Sequence, residues 1–527
     1  LRTPMVKRDG QFVAVGWDEA FATIEAGLMP IVAEHGRDAV AIYLGNPGAH
    51  SMAPLLYNRT LLKALGTRNR FSASTVDQRP KEISAAMMFG SVTVPVPDLD
   101  RTDFLLMLGA NPYASNGSLC TAPDFPGRLE RLQARGGSVV VVDPRLSETA
   151  AKADQHIAIR PGTDAHLLAA LVNVMFADGL ADAGEVAEHC KGWDALPELV
   201  SSFDPETVAR ICGIEADTIR DLAQRLATAP TAAVYGRIGT CTQEFGTLAS
   251  WLVDVVNVCS GNLDRIGGAM FAKGAAGQPS TKGAAGTGRG FAMARVRSRV
   301  SGAPESLGEF PVTALPEEIE TEGDGQVRAM VTVAGNPVSS NPNSGRLDAA
   351  LASLEFMVCI DPYINETTRH ADVILPPPTP LQKSHYDLAL LNFAVHNVAN
   401  YSPAVFPLDD SQLDESTIML RLAGLVAGGG FDADTDAMDA DIARSMLGSM
   451  VRDEHGIVFG RDVDELMEMV ADRSGPERLL DIMLRTGPYG DGFGSDPDGL
   501  TLAVLEANPH GVDLGSLEPG RVPAHLR

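Results

Sequence analysis

The sequence predicts an α/β protein that contains two related units with mostly parallel sheets, and three observations support this fold class. Short apolar runs alternate with helical segments along the 527 residues, which is the pattern of α/β domains. The runs at 104–108 and 329–333 are apolar throughout, as expected of strands buried on both faces of a parallel sheet. A series of short phrases also occurs twice. We therefore expect a doubly wound sheet in each unit.

The repeated phrases keep their order and their spacing. The first copy consists of Gly-Ala-Asn-Pro (109–112), Asp-Pro-Arg (143–145) and Glu-Thr-Ala-Ala-Lys-Ala-Asp (148–154). The second consists of Ala-Gly-Asn-Pro (334–337), Asp-Pro (361–362) and Glu-Thr-Thr-Arg-His-Ala-Asp (366–372). The distance from the Asp-Pro aspartate to the glutamate is the same in both copies (143 to 148 and 361 to 366). Chance rarely preserves such spacing, so the two units are related.

Each copy predicts a strand, a turn, a helix and a second strand. The expected elements are strands at 104–108, 138–142, 329–333 and 356–360, with helices at 127–135 and 347–354. Ligands bind outside the carboxyl ends of such strands, where Gly109 and Gly335 let the backbone approach a ligand. Asp143 and Asp361 follow the second strands and are placed to bind a ribose or base. A plain turn and strand end is the alternative.

Other segments extend this prediction. We expect helices at 17–34 and 81–89, strands at 39–44 and 231–234, a buried helix ending at 258, a mostly helical region at 412–485, and loops at 274–290 and 489–499. A third Gly-Asn-Pro, at 45–47, indicates that the strand before it joins the sheet of the second copy. Thr163 or Asp164 could cap the helix at 165–176. The Asp164 carboxylate could equally bind the N1–H and exocyclic amine of guanine, because it only accepts hydrogen bonds.

Composition excludes several classes of protein. The net charge of −26, without a basic stripe, argues against nucleic-acid binding. No apolar stretch is long enough to span a membrane. The six cysteines form no C-x-x-C pair, so neither a disulfide framework nor a zinc site is expected, and we predict a cytoplasmic protein. Only Cys120 and Cys241 lie in loop-like surroundings.

Together these phrases resemble the molybdopterin oxidoreductases of the dimethyl sulfoxide reductase superfamily, nearest to the formate dehydrogenase and periplasmic nitrate reductase type. Further matching phrases lie at 4–5, 17–20, 160–164, 261–268 and 366–376. The resemblance implies two pseudo-symmetric central domains that grip two molybdopterin guanine dinucleotides with Mo or W between them. One domain would be discontinuous, combining 1–85 with 325–527, and the other would be inserted at 86–324.

The resemblance also implies features outside this sequence. The chain begins at Leu1 without Met, and we expect the two middle domains of a longer enzyme. A 4Fe–4S cluster is expected only in an amino-terminal segment that the sequence lacks. An electron-transfer partner and a small-molecule substrate are expected as well.

The site residues implied by the resemblance come from both copies. The cofactor contacts would be Gly109, Asn111, Asp143, Arg145, Gly162, Asp164, Gly239, Gln243, Gly335, Asn336, Pro337, Asp361 and Thr367. Gly239 and Gln243 belong to a stretch that approaches a pterin in the family. Gln243 as an ordinary surface residue at a helix start is the alternative.

The metal ligand is where the sequence departs from the family. The family uses Cys, selenocysteine, Ser or Asp early on the helix after a Val-Asp phrase, here residues 76–77. Counting without a gap leads to Ile83, which cannot bind a metal. A shift of one residue makes Ser84 the candidate ligand, with Glu82 as an alternative and an ordinary helical serine as another. His385 is the candidate proton-transfer residue, unless it is a surface histidine.

The implied activity is a two-electron oxidation or reduction of a small substrate, similar to formate dehydrogenase. Ile83 at the ligand position weakens formate oxidation and nitrate reduction as the specific reaction. One alternative is a catalytically inactive relative that acts as a scaffold or electron-transfer subunit. Another is a guanine-nucleotide-binding α/β protein. A dinucleotide dehydrogenase is disfavoured because the glycines of 236–246 lack the Gly-x-Gly-x-x-Gly spacing.

Overall fold

The computed structural model describes residues 1–90, 92–277 and 292–522. Its strands are β1 (Met5–Arg8), β2 (Gln11–Ala14), β3 (Val40–Leu44), β4 (Arg70–Ser72), β5 (Val96–Pro97), β6 (Phe104–Leu108), β7 (Ser138–Val142), β8 (Gln155–Ile157), β9 (Ala232–Gly236), β10 (Ala269–Met270), β11 (Ala329–Val333), β12 (Phe356–Ile360), β13 (Val373–Leu375), β14 (His385–Tyr386), β15 (His396–Ala399), β16 (Tyr401–Ser402) and β17 (Val512–Ser516). The apolar strands β6, β11 and β12 are buried along their whole length.

Two sheets of mostly parallel strands organise the molecule. The larger has the order β2-β1-β13-β12-β11-β3-β4, and the smaller has the order β8-β7-β6-β9. Only β1 runs antiparallel to its neighbours, β2 and β13. The α/β fold class is therefore confirmed. Strand β3 pairs with β11, as the third Gly-Asn-Pro phrase predicted.

Helices cover the faces of these sheets. They are α1 (Trp17–His35), α2 (Met52–Leu65), α3 (Arg79–Phe89), α4 (Pro112–Ser115), α5 (Phe125–Ala134), α6 (Glu148–Lys152), α7 (Asp164–Ala177), α8 (Leu196–Leu199), α9 (Pro205–Cys212), α10 (Ala216–Thr228), α11 (Ile238–Cys241), α12 (Gly246–Cys259), α13 (Leu315–Glu320), α14 (Pro337–Ser340), α15 (Ser344–Ala352), α16 (Glu415–Gly424), α17 (Thr435–Met450), α18 (Val463–Glu468), α19 (Gly475–Arg485) and α20 (Leu502–Glu506). Helix α1 buries its predicted apolar face, from Ala20 to Ile31. In the described part of the chain, no helix is both long and apolar enough to cross a bilayer.

The packing of the two units differs from the predicted boundaries in detail. Strands of the larger sheet come from 5–72 and 329–375, and those of the smaller sheet come from 104–236. However, Phe310 and Leu315 pack with Tyr43 in the core of the larger sheet, ahead of the predicted boundary at 325. Val395 and Leu517 pack in the core of the smaller sheet. Residues before 325 thus pack in the core of the larger sheet, and two segments after 325 pack in the core of the smaller sheet.

Two predicted loops have different outcomes. Residues 489–499 are mostly turns, as expected. The predicted loop at 274–290 lies, from residue 278 onward, outside the described residues.

Two buried asparagines cover the free edge of the smaller sheet. Strand β9 is an edge strand, and its backbone needs hydrogen-bond partners because it is fully buried. Asn257 on α12 accepts from the Val234 amide through Oδ1 and donates to the Val234 carbonyl through Nδ2, both at 2.9 Å. Asn262 accepts from the Ala232 amide at 3.1 Å. These side chains replace a neighbouring strand, so the sheet ends at β9.

The substitution Asn257→Leu should loosen this edge locally. It leaves the amide and carbonyl of Val234 buried without partners, which costs about 1–3 kcal/mol per group. We expect the β9 amides to exchange with solvent about 5- to 100-fold faster, measured by hydrogen–deuterium exchange mass spectrometry. Asn400→Leu, at an exposed asparagine, is the matched control and should leave this exchange unchanged. Unaltered exchange in the Asn257 variant would show that the asparagine does not secure the edge.

Candidate functional site

In the first copy of the repeat, an asparagine and a threonine join two strand ends. Asn111 Oδ1, after β6, accepts hydrogen bonds from the Thr149 hydroxyl at 2.7 Å and from the Thr149 amide at 3.2 Å. The same hydroxyl oxygen accepts from the Tyr113 amide at 3.1 Å. The side chain of Asn111 is therefore held in one orientation at the carboxyl edge of the sheet.

The second copy repeats this arrangement. Asn336 Oδ1 accepts from the Thr367 hydroxyl at 2.7 Å, and that oxygen accepts from the Val338 amide at 3.1 Å. Thr367 was predicted to contact a cofactor, but it is fully buried and its hydroxyl is already used on both sides. The hydroxyl therefore positions Asn336 and is not available to a ligand. The sequence repeat thus extends to individual hydrogen bonds.

The aspartates after the second strands also correspond. Asp143 accepts from the Arg145 amide and Asp361 from the Tyr363 amide, both at 2.8 Å. Burial raises the pKa of Asp361, and the Tyr363 amide and Asn365 oppose that shift. Each carboxylate closes the turn that follows its strand, and Arg145 extends from that turn with an exposed side chain. Both acids remain at the carboxyl edge where a ligand of the sheet binds.

Pairs of glycines let two strand ends meet at this edge in each unit. The Gly239 amide donates to the Gly109 carbonyl at 3.1 Å, and a Cβ on Gly109 would lie only 2.6 Å from Gly239 Cα. In the other unit, a Cβ on Gly45 would lie 2.5 Å from Gly335 Cα. Gly45 is a site residue that the sequence reasoning missed, although its Gly-Asn-Pro phrase was the signal. Next to Gly335 and Asn336, Pro337 begins α14.

Asp164 and Gln243 lie together, as a shared site requires. Gln243 Nε2 donates to Asp164 Oδ2 at 3.0 Å, and Gln243 Oε1 is buried without a partner among the described residues. Neither Thr163 nor Asp164 caps α7 with its side chain, so the capping interpretation is wrong. Burial raises the pKa of Asp164, and the bond from Gln243 opposes this shift. Gly162, at φ +82°, forms the turn that leads into the helix.

A cavity of about 710 Å³ opens where strand ends of both units face each other. Asn46 and His50 line it from the end of β3, and Arg237 lines it from the end of β9. The remaining wall comes from Asp77, Gln78, Glu82, Val92, Val94, from the loop around Ser118, and from Ala389, Leu390 and Phe393. Because it has walls from both units, the cavity is the candidate active site.

The predicted metal ligand Ser84 does not line this cavity. Its side chain is buried, with 2% of the residue exposed, and its hydroxyl has no partner among the described residues. Glu82 lines the cavity instead, because two residues along an α-helix correspond to a rotation of about 200°. Cys120 and Cys241 are buried and also lie outside the lining, so the cavity wall contains no thiol. The described residues hold no group of three His, Cys, Asp or Glu that could bind a metal.

Glu82 is the carboxylate that the sequence reasoning ranked below Ser84. Arg79 Nη1 donates to Glu82 Oε2 at 2.8 Å, and Gln78 Nε2 donates to Oε1 at 3.4 Å. Burial raises the pKa of Glu82, while Arg79 and Gln78 oppose the shift. The carboxylate is thus fixed by neighbours on one side and faces the cavity on the other.

His385 lies beside the cavity and does not line it. It starts β14, and Ser402 is its partner on β16. The pKa of His385 is lowered by burial and by the positive charges of His50 and Lys383, while Asp387 raises it. The structure therefore places His385 outside the cavity lining, with a pKa below that of a free histidine.

The chain is similar in sequence to several known proteins. The alpha subunit of F420-dependent formate dehydrogenase 2 of Methanococcus maripaludis is 28% identical over 395 residues, covering 71% of this chain and 55% of the relative. Formate dehydrogenase H of Escherichia coli is 26% identical over 391 residues, covering 71% of this chain and 54% of the relative. The molybdopterin-containing subunit ArrA of the arsenate respiratory reductase of a Shewanella species is 25% identical over 499 residues, covering 86% of this chain and 57% of the relative.

The fold has a solved counterpart. Acetylene hydratase from Pelobacter acetylenicus superposes with a TM-score of 0.67 at 20% identity, covering 83% of this chain and 63% of the hydratase. The chain spans about half the length of the curated relatives it matches. The family model for molybdopterin oxidoreductases matches residues 1–385. This chain belongs to the molybdopterin oxidoreductase family.

Proposed function

We propose that this chain forms the cofactor-gripping part of a Mo or W oxidoreductase that binds two molybdopterin guanine dinucleotides. The observation that carries the proposal is the pair of equivalent strand-end sites, one in each unit, on either side of a shared cavity. The reaction would be a two-electron oxidation or reduction of a small substrate, with chemistry similar to that of formate dehydrogenase. When bound, the metal and its pterins would supply the electron-transfer chemistry.

The inserted unit fits one dinucleotide. Asp164 and Gln243 offer carboxylate and amide oxygens side by side, which suits the N1–H and amine donors of guanine. The Gly109–Gly239 contact leaves room for a ligand close to the backbone, a place where amides can bind phosphate. The other proposed contacts to this dinucleotide are Asn111, Asp143, Arg145 and Gly162.

The discontinuous unit would hold the second dinucleotide through equivalent groups. The contacts would be Gly335, Asn336, Pro337 and Asp361, together with Gly45. Glu82 is the side chain near the family's ligand position that lines the cavity, so we assign it the role given to Ser84 from the sequence. His385 would accept a proton near the cavity, since its lowered pKa favours the neutral form.

The remaining components are part of the same proposal. A 4Fe–4S cluster and an electron-transfer partner would lie in other segments or subunits, and the protein would act in the cytoplasm. The relatives named for formate dehydrogenation and arsenate reduction support oxidoreductase chemistry. A catalytically inactive scaffold is the alternative, favoured by the absence of a thiol from the described cavity wall.

The first test is the composition of the natural full-length protein, purified without oxygen. We expect about two GMP released by acid hydrolysis for each Mo or W measured by mass spectrometry, because both strand-end sites would be filled. GMP without either metal would favour the inactive scaffold. A preparation that contains neither, from cells that supply the cofactor to a control molybdoenzyme, would contradict the proposal.

The second test is Asp164→Asn in that protein. The change replaces an acceptor by an amide at the guanine site, so the guanine donors lose a partner at a cost of about 1–3 kcal/mol. We expect the GMP content to fall from about two towards one per protein while the fold, measured by circular dichroism, is kept. Asp178→Asn, at the exposed end of the same helix, is the matched control and should still release about two GMP per protein. Equal GMP content in both variants would remove Asp164 from the site.

A further inference from the structure

Arg237 presents unused hydrogen-bond donors to the cavity. Arg237 is only 8% exposed, and its Nε and Nη1 have no hydrogen-bond partner among the described residues. Leaving guanidinium donors buried without acceptors is costly, so such a group points to a ligand. A single arginine after a strand carries no spacing signal, so Arg237 could not be predicted as a site residue from the sequence.

The loop around Ser118 holds the guanidinium in place. Arg237 Nη2 donates to Ser118 Oγ at 2.5 Å. Asn116 and Ser118 both have positive φ angles, +51° and +67°, which are unusual for residues other than glycine. The Tyr235 hydroxyl donates to the Gly117 carbonyl at 3.0 Å and ties this loop to β9. Strained backbone is kept where the surroundings enforce it, and here it fixes the direction of Arg237.

Asp77 supplies an acceptor beside these donors. Its Oδ1 lies 3.6 Å from Arg237 Nη1, which is too long for a hydrogen bond, and this oxygen has no other partner among the described residues. Asp77 belongs to the discontinuous unit and Arg237 to the inserted one. An unpartnered donor and an unpartnered acceptor therefore lie side by side, on two residues that line the cavity, one from each unit.

The charges around the cavity do not favour an anion. Asp77 opposes the charge of Arg237 in the lining, so this part of the wall carries no excess positive charge. Arg79 lies behind Glu82, and its charge is matched by Glu82 at 2.8 Å and Glu309 at 2.5 Å. A site that attracts an oxyanion needs an excess of positive charge, which this wall lacks.

We propose that Arg237 and Asp77 form a subsite for an uncharged substrate that carries a carbonyl acceptor next to an N–H or O–H donor. The carbonyl would accept from Arg237, and the donor would bind Asp77 Oδ1. A carboxylate could use the arginine but would place its second oxygen against the Asp77 carboxylate. The type of reaction is taken from the proposed function. The subsite restricts the substrates that the same cavity can bind.

The test compares two probes of nearly equal size, formamide and formate, on the natural full-length protein. Dissociation constants would be measured by NMR titration with 13C-labelled probes for the unaltered protein, Asp77→Asn and Arg237→Gln. We expect formamide to bind the unaltered protein at least about fivefold tighter than formate. Asp77→Asn removes the negative charge and should reverse the preference, whereas Arg237→Gln should weaken both probes.

Asp217→Asn is the control for net charge, because that side chain is fully exposed on the surface. It should keep the preference of the unaltered protein. Formate binding as tightly as formamide, no measurable binding of either probe, or an unchanged preference in Asp77→Asn would each overturn the inference. Melting temperatures would show that each variant is folded. GMP and metal content of the same preparations test the proposed function separately, so the two can fail independently.

Discussion

The close contact of strand ends at paired glycines is the constraint on which the site depends. Gly109 meets Gly239 in one unit, and Gly45 meets Gly335 in the other, at distances that no side chain would allow. Each contact lies beyond the carboxyl ends of two paired parallel strands, β6 and β9 in one sheet and β3 and β11 in the other. The Asn–Thr links then fix the polar side chains next to these contacts. Backbone and side chains are thus oriented before any ligand binds, which lowers the ordering cost of binding.

The two arginines near the cavity differ in how fully carboxylates neutralise their charge. Arg79 is shared between Glu82 and Glu309, so a buried cation and two carboxylates compensate each other. Arg237 is only partly compensated, because its contact with Asp77 is longer than a hydrogen bond. The two arginines therefore differ in role: one stabilises the wall, and the other is open to a ligand.

Much of the fold could be predicted because burial leaves a simple trace in the sequence. Uniformly apolar strands such as β6 and β11, and the apolar face of α1, follow directly from which residues avoid water. The repeat predicted related strand ends, and one of its spacings has an equivalent contact in both copies. Asp154 and Asp372 each accept a hydrogen bond from the amide of the second residue of the preceding strand, at 2.7 and 2.8 Å. Such a hydrogen bond requires a fixed number of residues between the strand and the aspartate, which is why the spacing can be recognised in the sequence.

The parts that could not be predicted depend on direction and on contacts between distant segments. Residue types and spacing favoured Ser84 over Glu82 as the ligand, and only the rotation of α3 shows that Glu82 lines the cavity while Ser84 is buried. Thr367 was placed in the correct region, but its hydroxyl is used by neighbours that the sequence does not bring together. Arg237 and Asp77 lie 160 positions apart by residue number, and their pairing exists only once the two units face each other.

The two copies also differ in a way that bears on function. After β8 the inserted unit turns into α7, whose first residue is Asp164. After β13 the other unit runs through prolines into a short helical turn at Pro380–Gln382, which Thr379 and Gln382 cap. Residues 376–382, which follow β13 directly, contain no acid that corresponds to Asp164, and the next α-helix, α16, begins only at Glu415. The duplicated strands preserve the backbone contacts, while the segments after them are free to diverge. The two proposed dinucleotides would therefore meet different side chains beyond the shared strand ends.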